Sequence, residues 1–333
     1  MARWKHRPEG SNWGDFGPDD QLGRINLLTP ERRREGLAEA KEGIAFTLSL
    51  PLDYPGGNFV QFRAPPVLLA SHSEQTGRVY NKMICNSEEV TCDDKVILHT
   101  QYSTQWDSLA HHGRHFDADG DGIAEIVYYN GFRAGEHLVG PDGEGRSEAK
   151  ALGIERLAVA GVQGRGVLID FRRAFGLDKR AVGYDDLMRT LDEQKVEVRT
   201  GDFVLLYSGF DRALLDMKKQ PDRAKLLSTG AAIDGGDKRT QRWIEESGLV
   251  ALCSDNVAVE CVDRMLSDSP CAIRLPLHDL CLFRLGIHLG ELWYLEELAN
   301  WLHAHQRSAF LLTAPPLRLP GAVGSPLTPI ATV

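Results

Sequence analysis

No stretch of about eighteen consecutive apolar residues occurs in the chain, so no transmembrane helix is expected. A basic excess is missing too. The net charge of -9 leaves no surplus to meet phosphates and argues against nucleic acid as a partner. The six cysteines (Cys85, Cys92, Cys253, Cys261, Cys271 and Cys281) form no CxxC pair. In a chain of this size without an export signal they read as buried free thiols, not disulfides. The opening run Met1-Ala2-Arg3-Trp4-Lys5-His6-Arg7 carries charge but no apolar segment behind it. It does not read as a secretory signal, and a cytoplasmic location is expected. Neither a GxSxG elbow nor an HExxH pair is present. The glycine-rich run from Gly161 to Gly166 precedes a strand instead of following one, which excludes a dinucleotide loop.

What is present fits a soluble globular protein, with 42% hydrophobic and 26% charged residues. At roughly 150 residues per domain, 333 residues suggest two domains. However, no internal repeat, low-complexity tract or linker divides the chain, and residues 1–333 read as one domain. Residues 1–28, rich in Gly, Asp, Pro and Trp, read as an ordered N-terminal arm. Thr29 caps a helix that starts at Pro30 and is expected to end near Gly43. Strands are expected over residues 44–50, 96–107, 165–171, 203–208, 249–253 and 309–313, and helices over 184–193 and 295–304. Strands outnumber helices and the two intermix, so periodicity gives α/β or α+β.

The stretch from Gln101 to His111 carries the chemistry. Gln101, Ser103, Gln105, Asp107 and His111 have odd numbers, as does His99. In an extended strand these side chains share a face. That face is polar and rich in groups that bind metal or move protons. The residues alone fit either a metal site or a hydrogen-bonded polar cluster without metal. The run from Asp117 to Gly122 has the acid spacing of a calcium loop, but its twelfth position is Tyr128, not the required glutamate, and it reads as a surface turn. Asp170 and Asp255 each end an apolar strand, where they either line a cleft or cap the backbone.

The stretch resembles the HxGTHxDxPxH element of the cyclase family of metal-dependent hydrolases, the kynurenine formamidase, isatin hydrolase and trans-dienelactone hydrolase type. Gln101 stands at the first His, Ser103 at the Gly, Thr104 at the Thr and Gln105 at the second His. Asp107 stands at the Asp, Leu109 at the Pro and His111 at the last His. This TQWDxLxH form is similar to that of a longer branch. Further matching runs are Asn12-Trp13-Gly14, Ser254-Asp255-Asn256 with Glu260, Pro276-Leu277-His278, Gly286 to Glu291, and Gly324 to Ile330. The resemblance implies a swivelling β/β/α fold, with a central barrel-like mixed sheet flanked by helices. It implies one divalent ion, zinc or manganese, held by Gln101, Gln105, Asp107, His278 and Glu291. His111 becomes the catalytic proton shuttle, with a role as a further ligand as the alternative. The implied activity is hydrolysis of a C–N or C–O acyl bond in a small cyclic amide, lactone or N-formyl amide by metal-activated water. The alternatives are a metal-dependent lyase or cyclase acting through an enolate, and a non-catalytic small-molecule-binding member. A homodimer or tetramer is implied, with the Trp-bearing arm suited to reach a neighbouring site.

Overall fold

Short apolar runs build one large sheet. The computed structural model describes residues 3–85, 87–267 and 273–333. Cys271 and the first two residues of the N-terminal arm lie outside them. The sheet strands are β1 (Ala45–Thr47), β2 (Gln105–Asp107), β3 (Gln163–Asp170), β4 (Phe203–Tyr207), β5 (Ala251–Ser254), β6 (His288–Glu291), β7 (Ala309–Thr313), β8 (Gly324–Pro326) and β9 (Ile330–Thr332). Their order is β1-β9-β7-β3-β4-β5-β6-β2-β8. The pairs β3–β4, β4–β5 and β5–β6 are parallel and the flanking pairs antiparallel. This mixed sheet curls into a half-barrel flanked by helices, as the resemblance implies.

Alternation along the central strands divides the core in two. Val167, Ile169, Val204, Leu206 and Leu252 pack on one face. Leu168, Phe203, Leu205, Ala251 and Cys253 pack on the other. Helices Tyr184–Gln194 and Lys238–Ser247 cover the first face with Leu187 and Ile244. Helices Ile154–Ala160 and Glu296–Ala304 cover the second with Leu157, Leu298 and Leu302.

Three expectations change. The helix capped by Thr29 spans Pro30–Leu37 and stops short of Gly43. Glu39 explains the early end. Its carboxylate accepts from Arg165 at 3.2 Å, and its carbonyl accepts from Arg307 at 2.7 Å, so tertiary partners override helix propensity. The expected strand over 96–107 is broken. Asp94–Ile97 pairs with Val67–Ser73 in a separate small sheet, and only Gln105–Asp107 joins the half-barrel. Between them the chain turns, with Tyr102 N–H donating to His99 O at 3.1 Å, Tyr102 O–H to Gly57 O and Thr104 O–H to Leu292 O. Finally, Trp13 of the arm is fully buried in its own chain, where its indole donates to Phe283 O at 2.8 Å.

The small sheet of Val67–Ser73, Gly77–Val79 and Asp94–Ile97 stands apart from both cores. Leu68 lies opposite Val96 on one face and Val67 opposite Ile97 on the other. Both faces are open: Leu68 is 71% exposed and Ile97 60%.

Candidate metal centre

Strand β2 turns Gln105 and Asp107 to one face and Trp106 to the other. Trp106 anchors that register. It is fully buried, packs edge-on to Trp293 with ring centroids 5.1 Å apart, and donates to Ala314 O at 2.7 Å. A slip of one residue would exchange the faces and bury both polar side chains in the apolar layer. In the antiparallel neighbour β6, Glu291 lies opposite Gln105 and Leu289 opposite Asp107. Pairing thus sets the two carboxylates diagonally on one face.

His278 arrives from the turn Pro276–His278, which continues as the π-helical segment Asp279–Leu285 and bends at Gly286 into β6. Gly286 has φ of 60° and meets Gly23 so closely that a Cβ there would lie 2.5 Å from Gly23 Cα. Only glycine fits that approach. Ligand atoms of Asp107, His278 and Glu291 lie within 4.8 Å of one another, and all three residues are buried.

The electrostatics of this cluster call for a cation. Gln105 donates its amide to Asp107 Oδ1 and Glu291 Oε2, each at 3.1 Å. Even so, Asp107 Oδ2, Glu291 Oε1 and Gln105 Oε1 are buried without any hydrogen-bond partner. Burial, then the charge of Asp107, raises the Glu291 carboxyl to about 7. His278 Nε2 lies 3.4 Å from Glu291 Oε1, an ion-pair distance too poorly aligned to satisfy that oxygen as a hydrogen bond. Burial alone would lower the His278 imidazole, but contacts with Glu260 and Glu291 outweigh it and raise the ring to about 10. Two carboxylates and an imidazole facing one another with orphaned oxygens form a donor set suited to zinc or manganese. The residues present therefore fit a divalent ion held by Asp107, His278 and Glu291.

Glu260 fixes the imidazole from behind. Its carboxylate accepts from the backbone N–H groups of Leu277 and His278 and from His278 Nδ1 at 2.9 Å. With an ion bound at Nε2, that contact would keep the one remaining ring proton on Nδ1. In the sequence, the one signal of Glu260 is an acid directly after the apolar run Val257-Ala258-Val259.

Gln101 and His111 sit at the rim. Gln101 Nε2 contacts His111 Nδ1 at 2.7 Å and Asp107 Oδ1 at 3.4 Å, and its Oε1 accepts from Thr100. His111 Nε2 faces Asp107 Oδ1 at 3.9 Å. Burial lowers the His111 pKa, against the opposing pull of Asp107. The ring is therefore neutral near pH 7. His112 also lies close, 5.8 Å from the His278 ring, and burial pushes it down to about 3.

These groups form the floor of a cleft of about 780 Å³. Its walls are largely apolar, including Phe59, Val60, Leu227, Val257 and Leu275, with Gln101, His111, His278 and Glu291 at the base. Two other clefts, of about 650 and 860 Å³, do not touch the cluster.

The remaining candidates lie outside this centre. The Asp117–Gly122 run is a turn between the paired strands Arg114–Phe116 and Glu125–Val127, and Asp117 accepts from Gly120 N and Gly122 N. Arg133 lies 3.5 Å from Asp119 and 3.1 Å from Glu125 and supplies the counter-charge. Asp170 both caps the helix Phe171–Phe175 through Arg173 N and lines the cleft of about 650 Å³, whereas Asp255 accepts from Ser208 N and Phe210 N. Among the described cysteines, Cys253 and Cys281 are buried free thiols as expected, but Cys85 and Cys92 are exposed, because they lie in the uncovered 67–97 region.

A family model described as putative cyclase matches residues 46–261. A solved structure described as a novel cyclase is 33% identical, with a TM-score of 0.76 over 97% of both chains. Isatin hydrolase A from Labrenzia aggregata, bound to benzyl benzoate, shares the fold at 14% identity, with a TM-score of 0.55 over 87% of this chain and 93% of that one. An isatin hydrolase bound to the product analogue thioisatinate matches at 14% identity and TM-score 0.55, over 90% and 95%. No curated protein matches the chain. The chain belongs to the putative cyclase family.

Proposed function

We propose that this protein is a metal-dependent hydrolase that opens a C–N or C–O acyl bond in a small cyclic amide, lactone or N-formyl amide. The observation that carries the reading is the buried Asp107–His278–Glu291 cluster, with three orphaned oxygens, at the floor of a mostly apolar cleft. Isatin is a cyclic amide, so neighbours of the same fold that act on it support this substrate class.

One zinc or manganese ion in the cluster would supply Lewis acidity, polarising a carbonyl and lowering the pKa of water. The chain's own residues do the rest. Asp107 and Glu291 bring negative charge to offset a divalent ion, and Glu260 presents His278 Nε2. Gln105 spans the two carboxylates, and Gln101 holds the His111 ring at Nδ1. A half-turn of the Gln101 amide exchanges its nitrogen and oxygen and with them the His111 tautomer. His111 Nε2 therefore holds or takes a proton beside Asp107, as a general base and then an acid require. The apolar walls exclude water and strengthen these interactions.

Turnover of lactones, N-formyl anilines and cyclic imides, with and without chelator, tests the reading. We expect hydrolysis of at least one class, lost with chelator, restored by zinc or manganese, and incorporating one labelled oxygen from water per turnover. Chelator-sensitive turnover without label would mark a lyase; inertness towards all classes would mark a binding protein.

The small sheet supports a homo-oligomer. Three short strands with neither face covered lack the burial that independent stability requires. With Phe62 and Met83 exposed beside it, the sheet leaves Val67, Leu68, Val96 and Ile97 open to a partner. We take the occupant to be a second copy of this chain. Light scattering should give at least twice the 36.9 kDa monomer mass, and Leu68→Asp with Ile97→Asp should reduce it. A wild-type monomer at micromolar concentration contradicts the assembly. No described helix is long and apolar enough to cross a membrane. The exposed free thiols suit the reducing cytoplasm.

A further inference from the structure

The cleft carries a charge that the hydrolytic cluster does not use. Among the described residues, Glu291 on its floor is the one acid that lines it, whereas two arginines, Arg63 and Arg223, do so. Arg63 is half-buried among Phe59, Val60 and Leu98. Its guanidinium donates to Gln101 O at 2.7 Å, and no carboxylate among the described residues lies within ion-pair distance. Its charge nevertheless reaches the floor, where it lowers the pKa of both His111 and Glu291. Arg223 stands exposed at the same cleft, also without an acidic partner among the described residues.

A guanidinium in apolar surroundings loses hydration and regains it best from an anionic oxygen pair. Most other arginines that line clefts here are neutralised: Arg114 by Asp279, Arg284 by Glu245. Arg63, held by Gln101 O and 5.5 Å over the Phe62 ring, has no carboxylate partner among the described residues where a ligand would lie. We infer that Arg63 is a specificity-determining residue that anchors a carboxylate on the substrate, and that the natural substrate is an apolar acid. Its ring or chain lies along the Phe59, Val257 and Leu275 walls, its carboxylate meets Arg63, and its acyl bond faces the cluster. A cleft of about 780 Å³ accommodates such a molecule, since ligand sites commonly span 300–1,000 Å³. This inference rests on the hydrolase reading for the reacting bond, but not for the recognition of the acid.

The test is calorimetric titration of the full-length protein, as purified, with naphthalene-2-carboxylate and with its neutral carboxamide. Hydrogen bonds to a charged group predict about tenfold or more tighter binding of the carboxylate. Arg63→Gln should abolish the preference while leaving the carboxamide affinity within about twofold, and Arg63→Lys should restore part of it. Thermal melting confirms that each variant is folded. A carboxylate preference that survives Arg63→Gln would assign the anion to the metal or to Arg223 and overturn the inference, as would the absence of any preference in the wild type. An Arg63-dependent preference in a protein that hydrolyses nothing would instead overturn the hydrolase reading alone.

Discussion

Asp107→Asn is expected to abolish metal binding and turnover together. Asp107 is fully buried, one carboxylate oxygen accepts from Gln105 at 3.1 Å, and the other has no partner. Asparagine keeps the shape and removes the charge that offsets a divalent ion. Metal Lewis acidity is worth several kcal/mol of transition-state stabilisation. Turnover should therefore fall by roughly a thousandfold or more. The fold should survive, because the substitution relieves a like-charge contact: the charge of Asp107 is among the causes that raise Glu291. Without metal, the variant should melt at or above the temperature of the equally metal-free wild type. A variant that retains full metal occupancy would remove Asp107 from the centre.

His111→Ala should separate binding from chemistry. His111 meets Gln101 at 2.7 Å and Asp107 at 3.9 Å, its ring centroid lies 6.4 Å from that of His278, and a quarter of its side chain is exposed to the cleft. Its loss should leave most of the metal in place while turnover falls by roughly a hundredfold or more, the scale of a lost general base. Elemental analysis beside steady-state kinetics decides the point. Should His111→Ala empty the site as completely as Asp107→Asn, His111 is a ligand and the proton shuttle lies elsewhere, with His112 the nearest imidazole.

The sequence marked the centre better than it marked the path to it. Alternation was a sound guide at Gln105, Trp106 and Asp107, because β2 is paired on both sides by β6 and β8. It failed at Gln101 and His111, which reach the site from turns held by side-chain contacts such as Thr104 to Leu292 O, a partner 188 residues away. No local pattern encodes such a contact. His278 and Glu291 came from the family resemblance, and their convergence depends on the tight Gly23–Gly286 crossing, which is also long-range. Glu260 and Arg63 carried no periodic signal. One acts through a histidine 18 residues on, and the other matters because of the acids it lacks. The apolar runs of β3, β4, β5 and β7 were legible because they are buried on both faces, which leaves composition alone to identify them.

The central claim is that Asp107, His278 and Glu291 jointly hold a divalent ion. Anomalous diffraction from crystals of metal-replete protein, recorded at the zinc and manganese edges, measures this directly. The account predicts one strong peak at one of the two edges, within coordination distance of Asp107, His278 and Glu291 and next to the His111 rim. A metal-replete crystal with no peak near Asp107 would contradict it.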